Sequence, residues 1–130
     1  MSGALEAALT AMSGPFAWGR CDCCIGACDA FADLHGVDPM AHLRGEYRDR
    51  PSALRIIRAA GGFRALARDC AARAGLVPGD GAPGEIGVVR LASGSLALGI
   101  GLGRGHWVAK ASEGLTSNIE PVEGWKCLQR

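Results

Sequence analysis

The spacing of apolar residues changes period once, at Pro78-Gly79-Asp80-Gly81, and that change constrains the fold more than any other feature of the chain. Before it, apolar residues recur at helical spacing between breaker clusters. Leu5, Ala8, Leu9 and Met12 predict a short amphipathic helix over Ser2 to Met12, stopped at Ser13-Gly14-Pro15. A second helix is expected from Asp22, a good N-cap, to about Leu34, with Cys24, Ala27, Cys28, Phe31 and Leu34 inward and His35-Gly36 ending it. Asp38-Pro39 opens another short helix. Pro51 to Ala60 follows with Ala53, Leu54 and Ile57 inward, and then Phe63 to Ala74 with Leu66, Ala67 and Cys70 on one face.

After the change the pattern is that of strands joined by turns rich in Gly and Ser. Strands are expected over Glu85 to Leu91, Leu96 to Leu102, His106 to Ala111 and Trp125 to Leu128. In the second of these Leu96, Leu98, Ile100 and Leu102 face one way, and Ala97, Gly99 and Gly101 the other. Three small residues on one face imply that another backbone packs close there, and the helix from Asp22 is the expected neighbour. The whole, residues 1–130, reads as a single α+β domain, with a helical N-terminal half packed on a small antiparallel sheet from the C-terminal half. At 48% hydrophobic residues the chain can bury a core without a metal or disulfide.

Net charge is +1, from 14 basic and 13 acidic residues, which argues against a general nucleic-acid binder. The arginines between Arg44 and Arg73 stand among Asp and Glu and read as a solvated helical face. No stretch is long and apolar enough for a membrane span. Met1 to Met12 carries Glu6 and no basic segment, unlike a secretory signal, so the chain is expected to be made and kept in the cytoplasm unless something carries it out. In that setting its six cysteines are expected to be thiols.

Asp22-Cys23 stands where a glycine-bearing loop enters a helix. A thiol in a first helical turn feels the positive end of the helix dipole and unsatisfied N–H groups, and both favour the thiolate. A cysteine in an apolar stretch is also commonly a small buried hydrophobe, and both readings stand. Cys21, Cys23, Cys24 and Cys28 form C-x-C-C-x3-C, which lacks the paired C-x2-C spacing usual for zinc and iron–sulfur sites. If the helix begins at Cys23, the thiols of Cys23 and Cys24 diverge by about 100°. A metal-binding module is the remaining alternative for this cluster, but no metal ligands and no cofactor are assigned. Gly99-x-Gly101-x-Gly103 is not a phosphate loop, since no helix follows it.

The order of parts carries more. Trp18-Gly19-Arg20-Cys21-Asp22-Cys23, a helix, Pro83-Gly84-Glu85-Ile86-Gly87-Val88-Val89 and then Leu98-Gly99-Ile100-Gly101-Leu102-Gly103 resemble the NlpC-type cell-wall cysteine peptidases. With Gly36-Val37-Asp38-Pro39, Arg44-Gly45-Glu46-Tyr47, Gly114-Leu115 and Trp125, the chain looks like a small relative of these found in phages, prophages and gene-transfer particles. The resemblance covers about Phe16 to the C-terminus. It implies a papain-like fold, Cys23 as nucleophile, and a base on the strand that here reads Ala97-Leu98-Gly99-Ile100. Ala97 falls at the base's position, and Ala109 or Ala111 near that of the polar group that would orient it. Of the three histidines, His106 is the candidate in the strand half. Ala97 lies five residues back from Leu102, about 16 Å at ~3.3 Å per residue, so in this register His106 reaches Cys23 only through another register or a partner chain. His35 stands roughly 18 Å from Cys23 along the helix, and His42 reads as an exposed helix residue.

The resemblance thus implies a tail-associated accessory protein of a phage, prophage or gene-transfer particle, with impaired or absent catalysis. It would be made in the bacterial cytoplasm and located in the virion tail. Its expected partners are tail-hub or tail-tip proteins, docked by strand edges and the loop bearing Trp107, with peptidoglycan a further one. The alternative enzyme is a cysteine peptidase or amidase that opens peptidoglycan during genome delivery.

Overall fold

In a computed structural model, which describes residues 3–128, four α-helices precede a six-stranded sheet. The helices are α1 (Gly3–Met12), α2 (Ile25–His35), α3 (Arg50–Ala59) and α4 (Phe63–Arg73), with a 3-10 turn at Ala41–Leu43. Ser2 lies outside the described residues. The strands are β1 (Val77–Pro78), β2 (Ile86–Leu91), β3 (Leu96–Gly103), β4 (His106–Ala111), β5 (Gly114–Thr116) and β6 (Ile119–Lys126). All neighbours are antiparallel, in the order β1-β6-β2-β3-β4-β5. The expected strand over Trp125 to Leu128 is instead the end of β6, which begins at Ile119 and pairs along all of β2 from Ile86 to Leu91. None of the described helices is long and apolar enough to cross a membrane.

Helices pack on one face of the sheet. Val88, Leu98, Ile100 and Val108 meet Met12, Ala27, Cys28 and Phe31 there in one core. The inward face of α1 is Ala4, Ala7, Ala8 and Met12, whereas Leu5 and Leu9 are exposed, which corrects the expected stripe. Helices α1 and α2 approach closely where Met12 lies against Gly26, at which a Cβ would stand 2.9 Å from Met12 Cγ.

The other face of the sheet belongs to Trp107. Gly99, Gly87 and Gly124 stand side by side on β3, β2 and β6. The indole of Trp107 on β4 lies across the last two, with Cη2 placed 2.9 Å from where a Gly87 Cβ would be and 3.3 Å from one at Gly124. Trp107 is 5% exposed and groups with Val89, Ala97 and Ala109. The small face of β3 therefore accommodates an aromatic ring and, at Gly101, the carbonyls of Gly81 and Ala82, rather than α2. Helix α2 packs on the opposite, leucine-bearing face. The expectation that a loop presents Trp107 to partners is likewise corrected, since the ring is internal.

Lys110, 1% exposed, points to the helical side and donates to the carbonyls of Met12, at 2.8 Å, and Gly14. It meets the C-terminal end of α1, where a cation is favoured and carbonyls lack helical partners. Several arginines of the helical half face carboxylates. Arg64 and Arg68 both reach Glu123 on β6, at 3.0 Å each, and Arg73 reaches Asp69 at 2.8 Å.

A methyl group at Gly87 would meet both the Glu123 carbonyl, at 2.6 Å, and the indole. Gly87→Ala is expected to lower stability by about 1–3 kcal/mol, the usual range for overpacking. Urea unfolding should show this as a lower midpoint at unchanged slope.

Candidate functional site

Asp22 organises the segment that carries the thiols. Its carboxylate is 1% exposed and accepts from the N–H groups of Cys24 (2.9 Å), Ile25 (2.8 Å) and Gly19 (3.0 Å) and from the Tyr47 hydroxyl (2.6 Å). The cap expected of Asp22 is made from further upstream than the sequence suggested: α2 begins at Ile25, and Cys23 and Cys24 form the turn that enters it. Burial and the Asp22 carboxylate push the Tyr47 hydroxyl well above the usual tyrosine range, so it remains a donor.

Tyr47 arrives on a strap fixed to α2. Asp38 accepts from Met40 N at 3.1 Å and from Arg44 Nε at 2.9 Å, and Arg44 also pairs with Asp29 of α2 at 2.8 Å. The Val37-Asp38-Pro39 and Arg44-Gly45-Glu46-Tyr47 segments thus act as a brace that delivers one hydroxyl to Asp22.

Cys23 is half-buried where β3 and β4 separate. Pairing between these strands covers Gly99 and Ala109, and beyond it the Leu98 N–H donates to the Cys23 carbonyl at 3.1 Å. The Cys23 side chain packs against the cluster of Val89, Ala97, Trp107 and Ala109. The thiol therefore lies against the cluster containing Ala97, where the resemblance would put a base, and Ala109, one of the two alanines near which it would put the orienting group.

A hydrogen bond from the Cys24 thiol holds Cys23 below the usual thiol pKa, against the opposing effects of burial and the Asp22 charge. The same hydrogen bond, with burial, pushes Cys24 well up. The divergence expected if the helix began at Cys23 does not apply, because both residues precede it; Cys23 packs against the Trp107 cluster and Cys24 against the main core. Burial also raises Cys28, and raises Cys70 to about 11.

The remaining cysteines point elsewhere. The Cys21 thiol faces the carbonyls of Ala11, at 3.7 Å, and Gly14, at 3.9 Å, while Cys28 is in the core. All six cysteines are thiols rather than disulfides. Among the described residues no group of three or more His, Cys, Asp or Glu is placed to hold a metal ion.

No histidine joins Cys23. His35 ends α2, with Nε2 2.9 Å from the Gly84 carbonyl and its ring against Phe31. His42 Nε2 lies 3.8 Å from Asp69. His106 is exposed and pairs with Gly103 at the β3–β4 hairpin. Ala97 is at the far end of that strand, roughly 20 Å from Gly103 at ~3.3 Å per residue.

Cys23 and Cys24 share one wall of a cleft of about 460 Å³. Helices α3 and α4 supply the opposite wall through Leu54, Ile57, Phe63 and Leu66, and the β2–β3 hairpin closes one end with Leu96 and Leu98. Lys110 lines it too, and no histidine does. This cleft escaped sequence reading because Leu54 and Leu66 carry the same helical signal whether they fill a core or border a space.

Fold and site together define an α+β domain with a thiol pair in the wall of an apolar cleft. A family model described as a domain of unknown function (DUF6950) matches residues 2–126, so the chain belongs to that family. No curated protein and no solved structure matches it.

Two outcomes follow from this geometry. Tyr47→Phe removes a donor to a buried carboxylate and is expected to cost about 1.5–3 kcal/mol in chemical denaturation, the range for hydrogen bonds to charged groups. In a short pulse of N-ethylmaleimide at pH 6.5, peptide mapping should find Cys23 labelled well ahead of Cys24, Cys28 and Cys70, because thiolate is the reactive form.

Proposed function

We propose that this chain is a papain-like, NlpC-type domain that retains the nucleophile position of a cell-wall cysteine peptidase and has lost the base. We infer that it serves as an accessory protein in the tail of a phage, prophage or gene-transfer particle and acts there through protein contacts. The observation that carries the catalytic half of this reading is the packing of Cys23 against the cluster of Ala97 and Ala109, with no imidazole bordering the cleft. General acid–base assistance is worth about 10²–10⁴-fold in rate. Amide hydrolysis needs it twice, to protonate the departing amine and to activate water. The location in a tail rests on the sequence resemblance alone. For docking, the surfaces in keeping with this reading are the short edge strands β1 and β5 and the exposed Leu5 and Leu9 of α1.

The rival reading is an active peptidase or amidase, and the lowered Cys23 pKa favours it. It requires an imidazole from a partner chain, since His106 stands at the wrong end of β3.

Purified protein incubated with peptidoglycan sacculi should release no muropeptides or stem peptides above a Cys23→Ala control, read by liquid chromatography and mass spectrometry. Particles carrying Cys23→Ala should stay infectious. Release that depends on Cys23, from the chain alone or in its particle, would establish the hydrolase instead.

A further inference from the structure

Thiolates cleave amides and thioesters under different demands. An amine leaves an acyl centre only with a proton supplied as the C–N bond breaks. The sulfur of a thioester leaves as a thiolate, whose basicity is close to that of the attacking cysteine, and needs no acid. A site with a half-buried thiol at a cleft wall, its pKa lowered from the usual value, and with no imidazole is therefore unsuited to peptides and suited to thioester exchange.

The surroundings specify the acyl group. The cleft beside Cys23, about 460 Å³, is within the range of small-molecule sites, and its lining is dominated by Leu54, Ile57, Phe63, Leu66, Leu96 and Leu98. Each methylene moved there from water is favoured by about 0.8 kcal/mol. The cleft is thus matched to an aliphatic chain, with the carbonyl at the thiol wall.

We propose that Cys23 is an acyl acceptor: it takes an aliphatic acyl group from an acyl thioester and holds it in the cleft as a stable S-acyl cysteine. The Cys23 thiol releases its proton to solvent, and its sulfur then attacks the thioester carbonyl carbon and forms a new C–S bond. The donor's C–S bond breaks with its electron pair going to the donor sulfur, which departs as a thiolate and is protonated by water. No electrons are exchanged with an oxidant or reductant. The missing imidazole then has a second effect: no histidine borders the cleft to activate water against the new thioester, so the acyl group stays. This inference rests on the reading of the site as one without a base.

The test is intact-mass spectrometry of the full chain incubated with the decanoyl and the acetyl thioesters of N-acetylcysteamine. A single decanoyl adduct is expected on Cys23, absent in Cys23→Ala, removed by neutral hydroxylamine, and formed at least about tenfold faster than the acetyl adduct, as burial of several methylenes implies. Leu66→Trp, which fills the cleft, should slow decanoyl transfer, with circular dichroism reporting on the fold. The wild-type ratio of the two chains stands independently of that variant. Equal rates for the two thioesters, an adduct spread over other cysteines, or no adduct would overturn the acyl acceptor and leave the base-free site intact. Cys23-dependent accumulation of free decanoic acid over many turnovers would overturn the base-free reading itself.

Discussion

One carboxylate fixes the geometry on which the site depends. Asp22 gathers two N–H groups from the start of α2, one from the glycine of the preceding loop and the hydroxyl of Tyr47. Four donors around one buried anion satisfy its oxygens and define the path of the chain from Gly19 to Ile25. Cys23 and Cys24 have little choice of position as a result. The brace from Asp38 to Arg44 and on to Asp29 holds Tyr47 in place, so the strap and α2 are tied through charge at one end and through Asp22 at the other. Lys110 works on the preceding joint, where its ammonium gathers the carbonyls of Met12 and Gly14.

The chemistry of the site follows from what lies on either side of the thiols. Toward the sheet is a cluster of aliphatic and aromatic groups, Val89, Ala97, Trp107 and Ala109, that neither takes nor gives a proton. Toward the helices is open apolar space. The hydrogen bond between them holds the Cys23 thiol below its usual pKa and, with burial, pushes Cys24 above it. On the proposed reading, a thiol so placed would act without an imidazole beside it, which would separate reactions by the quality of their leaving group.

The sequence was most legible where local chemistry decides. Breaker clusters and helical spacing placed the four α-helices within a few residues, and alternation placed β2, β3 and β4. Asp22 was identifiable as a cap, though which residue begins the helix depended on its acceptance of two consecutive N–H groups. Less legible were features set by tertiary partners. Which face of α1 turns inward is set by its packing on another helix, where Met12 lies against Gly26. The small residues of β3 called for a close neighbour, but the neighbour proved to be an indole reaching across from β4, because glycines from β2 and β6 line up beside them. Strand β6 contains Pro121 and Glu123 and bulges against β2 between Val88 and Val89, which blurred its alternation. Tyr47 and Lys110 lack any local signal, since their partners are distant in sequence.

Helix α3 buries one residue, Ala53, while its larger apolar side chains face the cleft. A capping box of Asp49 and Ser52 starts it well, so the element is sound in itself but lightly attached to what lies beneath. Little apolar contact is lost when it rises, and elements of that kind occupy the low end of the opening free energies within a protein. The wall of the cleft held by the fewest buried side chains is therefore the one that α3 supplies.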